Sequence, residues 1–261
     1  MNNKSCPVQS NREILPSTHL MWVDAPQLAA TARPGQFAML RCCDNVERML
    51  RRPLTMHQVD GSRVAFLYRV MGEGTRWLSA RSEGQPVDIL GPLGNGFTVN
   101  EQSRRLLLVA GGMGFAPLRF LADKAMAEGH EVTLLIGAKA ANALYPAELI
   151  PKGLEVIAVT EDGSAGDRGL VTQFLGRYVE AANQVFACGP EPMYRALLPG
   201  RDSWPAGLRA QVSLEVRMGC GVGACLSCTI RTKSGPRHVC KDGPVFDLDD
   251  VLWGETPVCA L

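Results

Sequence analysis

With 261 residues, 46% of them hydrophobic and 20% charged, the chain has room for two or three small domains and the composition of an ordinary globular protein. Lys plus Arg is 27 and Asp plus Glu is 26, so the formal charge of +1 gives no electrostatic case for nucleic acid or an anionic membrane as a partner. No apolar run reaches the roughly eighteen residues that span a bilayer, and the first residues lack a signal-peptide core, so a soluble cytoplasmic protein is expected.

Residues 1–100 read as short strands: Phe37 to Arg41, Leu54 to Val59, Val64 to Val70 and Pro86 to Leu90. Turn signals at Pro34 and Gly35, Asp60 and Gly61, Gly72 to Gly74, and Gly91 and Pro92 separate them. Short strands at this spacing predict an antiparallel barrel or sandwich. Arg51, Arg52, Pro53, Leu54 and Thr55 open one strand, and an arginine close to a hydroxyl suits a pyrophosphate. Gly72, Glu73, Gly74 and Thr75 add backbone N–H groups and another hydroxyl. The competing reading of both is a solvated polar face.

Residues 101–205 change character. Arg105 to Ala110 is an apolar run without alternation, as expected of a strand buried on both faces. A helix is predicted from Pro117 to Glu128, followed by strands over Glu131 to Ile136, Leu154 to Thr160 and Gln184 to Cys188, with a short helix over Leu170 to Val179. Strand and helix in alternation mean a parallel α/β sheet. Gly111, Gly112, Gly114 and Pro117 stand where the first strand gives way to its helix, a place where backbone can approach a phosphate. The strict three-glycine fingerprint is not met, and a tight turn without ligand is the competing reading. Cys188 and Gly189 form a second turn at a strand's carboxyl end, where ligands of open α/β sheets gather.

Residues 206–261 hold a strand candidate, Leu208 to Val216, and then Cys220, Cys225 and Cys228, with eleven residues between Cys228 and Cys240. C-x4-C-x2-C…C is the spacing of a plant-type 2Fe-2S cluster, which passes one electron at a time. Structural zinc is the main rival, but zinc sites usually pair short knuckles, and here the last ligand stands alone. A Rieske centre needs two histidines, and His238 is the sole one nearby. Disulfides are disfavoured without a secretory signal. The other five cysteines, Cys6, Cys42, Cys43, Cys188 and Cys259, are an odd number without framework spacing and read as reduced thiols. The last region is too small for much core of its own, so the cluster is expected to staple it.

Taken together, Pro34 to Phe37, Arg52 to Thr55, Gly72 to Thr75, Gly111 to Pro117 and Cys188 to Pro190 resemble the ferredoxin reductase superfamily. Glu215 to Cys220, Cys240 to Asp247, Gly91 to Phe97 and Asp162 to Ser164 narrow the resemblance to one branch, the electron-transfer subunits of NAD-linked, two-protein dihydroorotate dehydrogenases. The resemblance implies a multi-domain β plus α/β protein. An N-terminal six-stranded antiparallel FAD-binding β-barrel (1–100) would precede a parallel α/β NAD-binding domain (101–205) and a small C-terminal 2Fe-2S domain (206–261). It implies FAD between the nicotinamide and the cluster. Electrons would come from the FMN of a catalytic partner and leave to NAD+ in pyrimidine (UMP) biosynthesis, in a heterotetramer of two subunits of each kind. Cys220, Cys225, Cys228 and Cys240 would ligate iron. Arg52, Pro53, Leu54 and Thr55, Leu67, Tyr68 and Arg69, and Gly74 and Thr75 would hold FAD, with Tyr68 packing on a ring. Gly111, Gly112, Gly114 and Pro117 would shape the nicotinamide-nucleotide site, with Cys188 and Gly189 near the nicotinamide. No residue of this chain need act as acid or base. FAD/2Fe-2S subunits of ferredoxin:NADP oxidoreductases, sulfur reductases and hydrogenases share much of the layout and are the alternative reading.

Overall fold

The computed structural model describes residues 2–44 and 50–254, and Cys259 lies outside them. Among these residues, six strands close an antiparallel barrel: β1 (Asn2–Leu15), β2 (Thr18–Asp24), β3 (Phe37–Leu40), β4 (Arg52–Asp60), β5 (Arg63–Arg69) and β6 (Pro86–Leu93), in the order β1-β2-β5-β4-β3-β6. The hydrophobic pattern points to β3 through β6. The first two strands are less legible because β1 is mostly polar, yet it pairs with both β2 and β6 and closes the barrel. Closure satisfies every edge. Two helices lie at its rim, α1 (Pro26–Thr31) and α2 (Glu73–Ser79).

Strand β5 shows how the barrel is joined to the rest. Side chains of a strand alternate between faces. Val64, Phe66 and Tyr68 fill the barrel with Val8, Met21 and Met56, while Ala65 and Leu67 pack outward on Leu106, Leu108 and Phe115 of the next domain. Five consecutive residues are therefore buried, each in one of two cores.

That next domain is built on a sheet of seven strands among the described residues. It comprises β7 (Arg105–Gly111), β8 (Glu131–Ala138), β9 (Glu155–Thr160), β10 (Asp167–Arg168), β11 (Gln184–Cys188), β12 (Arg209–Ser213) and, after the β13 (Thr229–Thr232) and β14 (Gly235–His238) hairpin, β15 (Val245–Asp247). The order is β10-β9-β8-β7-β11-β12-β15, parallel except for β15. Helix α3 (Phe115–Ala127) follows β7 and packs on it. It starts two residues before Pro117, because the chain turns at Gly112 to Gly114 directly into helical geometry. Pro117 still falls in the first turn, where its missing N–H has no intrahelical partner to lose. The helix expected over 170–179 divides at Leu175 into α4 (Val171–Phe174) and α5 (Gly176–Val179), ahead of Gly176, a weak helix former. Helix α6 (Glu191–Leu197) follows β11.

The sheet does not end at residue 205. Strand β12 pairs in parallel with β11 and β15 pairs antiparallel with β12, so parts of the C-terminal region complete the nucleotide-type sheet. The intervening chain, including α7 (Val239–Asp242), shares its core: Cys228, Ile230, Val239 and Cys240 pack in one cluster with Leu107, Val109 and Val212. Two motifs nearly 150 positions apart also meet. Asn95 Nδ2 donates to the carbonyls of Lys241 (3.2 Å) and Asp242 (3.0 Å). No helix of the described residues is long and apolar enough to cross a membrane.

His57 of β4 is fully buried between the barrel and α3. Burial lowers its imidazole to about 3, opposed by the Ala116 carbonyl and reinforced by Arg119. Unfolded, the ring takes a proton near pH 6.5. Between about 6.5 and 3 the unfolded chain thus binds more protons than the folded one, and stability falls as pH falls. The expected cost is up to about 1.4 kcal/mol per pH unit in that window. Urea midpoints at about pH 7 and 5 check it, since His57→Gln should lose less stability on acidification than the wild type.

Candidate functional site

The barrel and the sheet face each other across a cleft of about 200 Å3, with Leu67 and Arg69 of β5 on one side and Gly112, Met113, Phe115 and Tyr145 on the other. In the sheet, β7 pairs with β8 on one side and β11 on the other, so the strand order reverses at β7. Open α/β sheets bind ligands at the carboxyl ends of strands flanking such a switch point. Gly111, Gly112, Gly114 and Pro117 occupy that position. The turn packs closely on β11: a Cβ on Gly114 would overlap the carbonyl oxygen of Cys188. The Gly189 N–H donates to the Tyr194 hydroxyl (2.9 Å), which donates to the Ser213 carbonyl (2.6 Å). This chain of bonds ties the Cys188–Gly189 turn to the end of β12.

On the barrel, Arg52, Pro53, Leu54 and Thr55 are half-buried on β4, paired with Leu40, Met39, Ala38 and Phe37 of β3. Gly74 lies in the first turn of α2, where a Cβ would sit 3.3 Å from Arg52 Nε. An arginine beside backbone N–H groups is the arrangement a pyrophosphate requires. The Thr75 hydroxyl accepts from the N–H groups of Met71 (2.9 Å) and Gly72 (3.2 Å), so it shapes this turn from within. Leu67 and Arg69 reach the cleft. Tyr68, expected to pack on a ring, points the other way, as alternation along the strand requires. It is 2% exposed inside the barrel, stacked on His19 at 5.7 Å, and its hydroxyl donates to Asn11 (3.0 Å).

Glu215, just past β12, has no role in the sequence reading, yet it is charge-coupled to residues on two other elements of the fold. Burial raises its carboxyl above the usual range, while the positive charge of Arg69 opposes the shift. Burial pushes the Cys188 thiol well up, and Glu215 adds to this. Glu215 is thus coupled in charge to Arg69 of β5 and to Cys188 of β11. The available signal was an acidic residue placed between a buried strand and the cysteine loop.

In that loop Cys225 is exposed, Cys220 half-buried, and Cys228 and Cys240 buried. Backbone N–H groups aim at the sulfurs. Val222, Ala224 and Cys225 donate to Cys220 Sγ at 3.3–3.4 Å, Gly223 to Cys240 Sγ at 3.1 Å, and Cys240 to Cys228 Sγ at 3.4 Å. Such bonds stabilise thiolates and tune iron–sulfur potentials. Hydrogen bonds from Ser227 lower the Cys225 thiol to about 6. No three His, Cys, Asp or Glu side chains among the described residues are arranged to hold one ion. A binuclear cluster instead spreads four thiolates over two irons, and the donor set fits it. His238 is engaged with Thr229 Oγ1 at 3.0 Å. The loop also touches the barrel: a side chain on Gly221 would meet Met39 Cγ of β3 at 2.5 Å.

Residues 215–252 match a family model described as the iron–sulfur cluster binding domain of dihydroorotate dehydrogenase B, and residues 108–198 match an oxidoreductase NAD-binding domain. The chain is 36% identical over 249 residues to the dihydroorotate dehydrogenase B (NAD(+)) electron transfer subunit of Desulforamulus reducens, covering 92% of this chain and 94% of that one. It is 38% identical over 251 residues to the subunit of the same name from Caldanaerobacter subterraneus subsp. tengcongensis, covering 94% and 97%. Among solved structures, that of the NADH-dependent reduced ferredoxin-NADP oxidoreductase is similar at a TM-score of 0.84 and 27% identity, covering 97% of this chain and 91% of that one. A ferredoxin NADP+ reductase from Neisseria gonorrhoeae, 13% identical with a TM-score of 0.63 and covering 78% and 92%, shares the fold alone. The chain belongs to the family of electron-transfer subunits of dihydroorotate dehydrogenase B (NAD(+)).

Proposed function

We propose that this chain carries electrons from an FMN-containing dihydroorotate dehydrogenase subunit, through its cluster loop and a barrel-bound FAD, to NAD+ in the cytoplasm, in a complex of two subunits of each kind. The observation that carries the reading is the contiguity of the three sites. The cluster loop lies on β3 through Gly221 and Met39. Strand β3 pairs with β4, which bears Arg52 to Thr55. Strand β4 pairs with β5, whose outer face lines the cleft toward Gly112.

Each region then has one task. Arg52 and the turn at Gly74 bind the FAD pyrophosphate. The β7–α3 turn receives the phosphates of the nicotinamide nucleotide, with its backbone held close to Cys188. Arg69 lines the cleft where the two cofactors meet, and Glu215 is coupled in charge to both Arg69 and Cys188. Cys220, Cys225, Cys228 and Cys240 hold the iron, and the exposed side of the loop, at Cys225 and Leu226, faces incoming electrons. Bound FAD supplies the conversion between the two-electron chemistry of nicotinamide and the one-electron chemistry of the cluster. The side chains position and tune; none donates or removes a substrate proton.

Affinity purification from the native cells tests the assignment. A stoichiometric FMN protein that reduces NAD+ with dihydroorotate in the presence of this chain is the expected result. The NADH-dependent ferredoxin-NADP oxidoreductase structure, alike over nearly the whole chain, favours one second reading. A second flavoprotein as partner, with ferredoxin as electron carrier and no dihydroorotate activity, would establish that reading instead.

A further inference from the structure

His57 lies outside the cofactor motifs, and the fold takes an irregular step to place it. In the β4–β5 ladder Met56 pairs with Phe66 and Gln58 with Ala65, so His57 is the extra residue of a β-bulge. Bulges re-aim single side chains and recur beside active sites. This one turns the imidazole away from the barrel and into the second domain, where none of it is exposed. Nδ1 lies 2.9 Å from the carbonyl oxygen of Ala116 in the first turn of α3, and Nε2 lies 3.0 Å from the hydroxyl of Tyr145.

These partners dictate one tautomer. A carbonyl only accepts, so Nδ1 carries the hydrogen, and Nε2 of the neutral ring accepts from the tyrosine. Both bonds run from the barrel to the nucleotide domain. Their ends are close to the cofactor machinery: Thr55 stands two residues before His57, and Gly114 two residues before Ala116. Tyr145 packs edge-on against Phe115 at 4.8 Å, and both rings line the cleft opposite Leu67 and Arg69.

We propose that His57 is a positioning residue for hydride transfer, bridging β4 to Ala116 and Tyr145 so that the nucleotide turn and the cleft wall keep register with the flavin strand. The physical demand is strict. Reacting atoms must approach to about 3–3.5 Å, and an error of about 1 Å can cost on the order of a hundredfold in rate. Two cofactors held by two domains need a fixed spacing between those domains, and His57 spans that boundary with both ring nitrogens. The role rests on the reading of the cleft as the meeting place of nicotinamide and flavin.

Three variants test it in the FAD- and cluster-loaded chain. His57→Leu removes both bonds at similar volume, Tyr145→Phe removes one and keeps the ring, and His57→Gln retains an amide donor and acceptor. FAD and cluster content, NAD+ affinity by calorimetry, and flavin reduction at saturating NADH by stopped flow are measured. We expect cofactor content to be retained and NAD+ affinity to stay within about threefold, while flavin reduction slows about tenfold or more in His57→Leu and Tyr145→Phe and recovers in His57→Gln. Imidazole 15N shifts of the unliganded wild type should show hydrogen on Nδ1 and none on Nε2. Flavin reduction at the wild-type rate in Tyr145→Phe, or hydrogen on Nε2, overturns the proposal, and Tyr145→Phe decides even if His57→Leu does not fold. Failure of NADH to reduce the flavin of the wild type would overturn the reading of the cleft itself, and this role with it.

Discussion

Gly114→Ala is expected to weaken nicotinamide-nucleotide binding about a hundredfold, whereas Gly112→Ala, two residues away, is expected to leave the apo fold nearly intact. The two glycines are needed for different reasons. A Cβ on Gly114 would overlap the backbone of Cys188 on the neighbouring strand, and backbone cannot swing aside as the end of a side chain can. The turn and β11 must separate. Gly112 has φ of +56° with nothing within 4 Å of its would-be Cβ, so alanine there costs only the left-handed penalty, about 1–2 kcal/mol. Gly114→Ala should cost about 3 kcal/mol or more in stability, and a similar loss in binding would weaken NAD+ about a hundredfold. Urea unfolding and calorimetry of both apo variants decide. Equal stabilities would mean that the turn depends on backbone dihedrals rather than on contact with β11.

Cys225→Ser should divide the protein's activity in two. Cys225 is the exposed member of the four cysteines proposed to hold the cluster, whereas Cys228 and Cys240 are buried. Serine is a poor ligand for iron and sulfide, so the cluster's absorbance and the delivery of electrons from a partner should fall by at least about a hundredfold. NADH-dependent reduction of an artificial acceptor should persist. The residues proposed to serve it, Arg52 to Thr55 and Gly111 to Pro117, lie on strands and turns that do not include the loop. Loss of both activities with FAD still bound would show that the loop also shapes the flavin site, through its contact with Met39.

The parts of this molecule that sequence reasoning reached are those whose chemistry is local. Four cysteines at cluster spacing, glycines between a buried strand and a helix, and unbroken apolar runs each carry their meaning within a few residues. Strand β1 was less legible because its sequence is polar over much of its length and its place comes from pairing with β2 and β6. The side to which Tyr68 points depends on which face of β5 meets the cleft, and two buried faces give the pattern no alternation to read. Residues 209–213 and 245–247 join the nucleotide-type sheet because β11 offers an edge to β12 and β12 one to β15, which their own composition does not reveal. Glu215 and His57 acquire their surroundings from elements more than fifty positions away, Arg69 for one and Ala116 for the other.

Strand β5 has no solvent side between Val64 and Tyr68, and the two cores it fills belong to different cofactors' domains. A substitution there cannot be absorbed as surface drift, and one that enlarges or shrinks a side chain on either face displaces the shared wall toward the other. The flavin half and the nucleotide half therefore cannot be exchanged as independent modules. A chimera that takes its barrel from one relative and its sheet from another must carry β5, the residues on both sides of it and their mutual fit as one inherited unit.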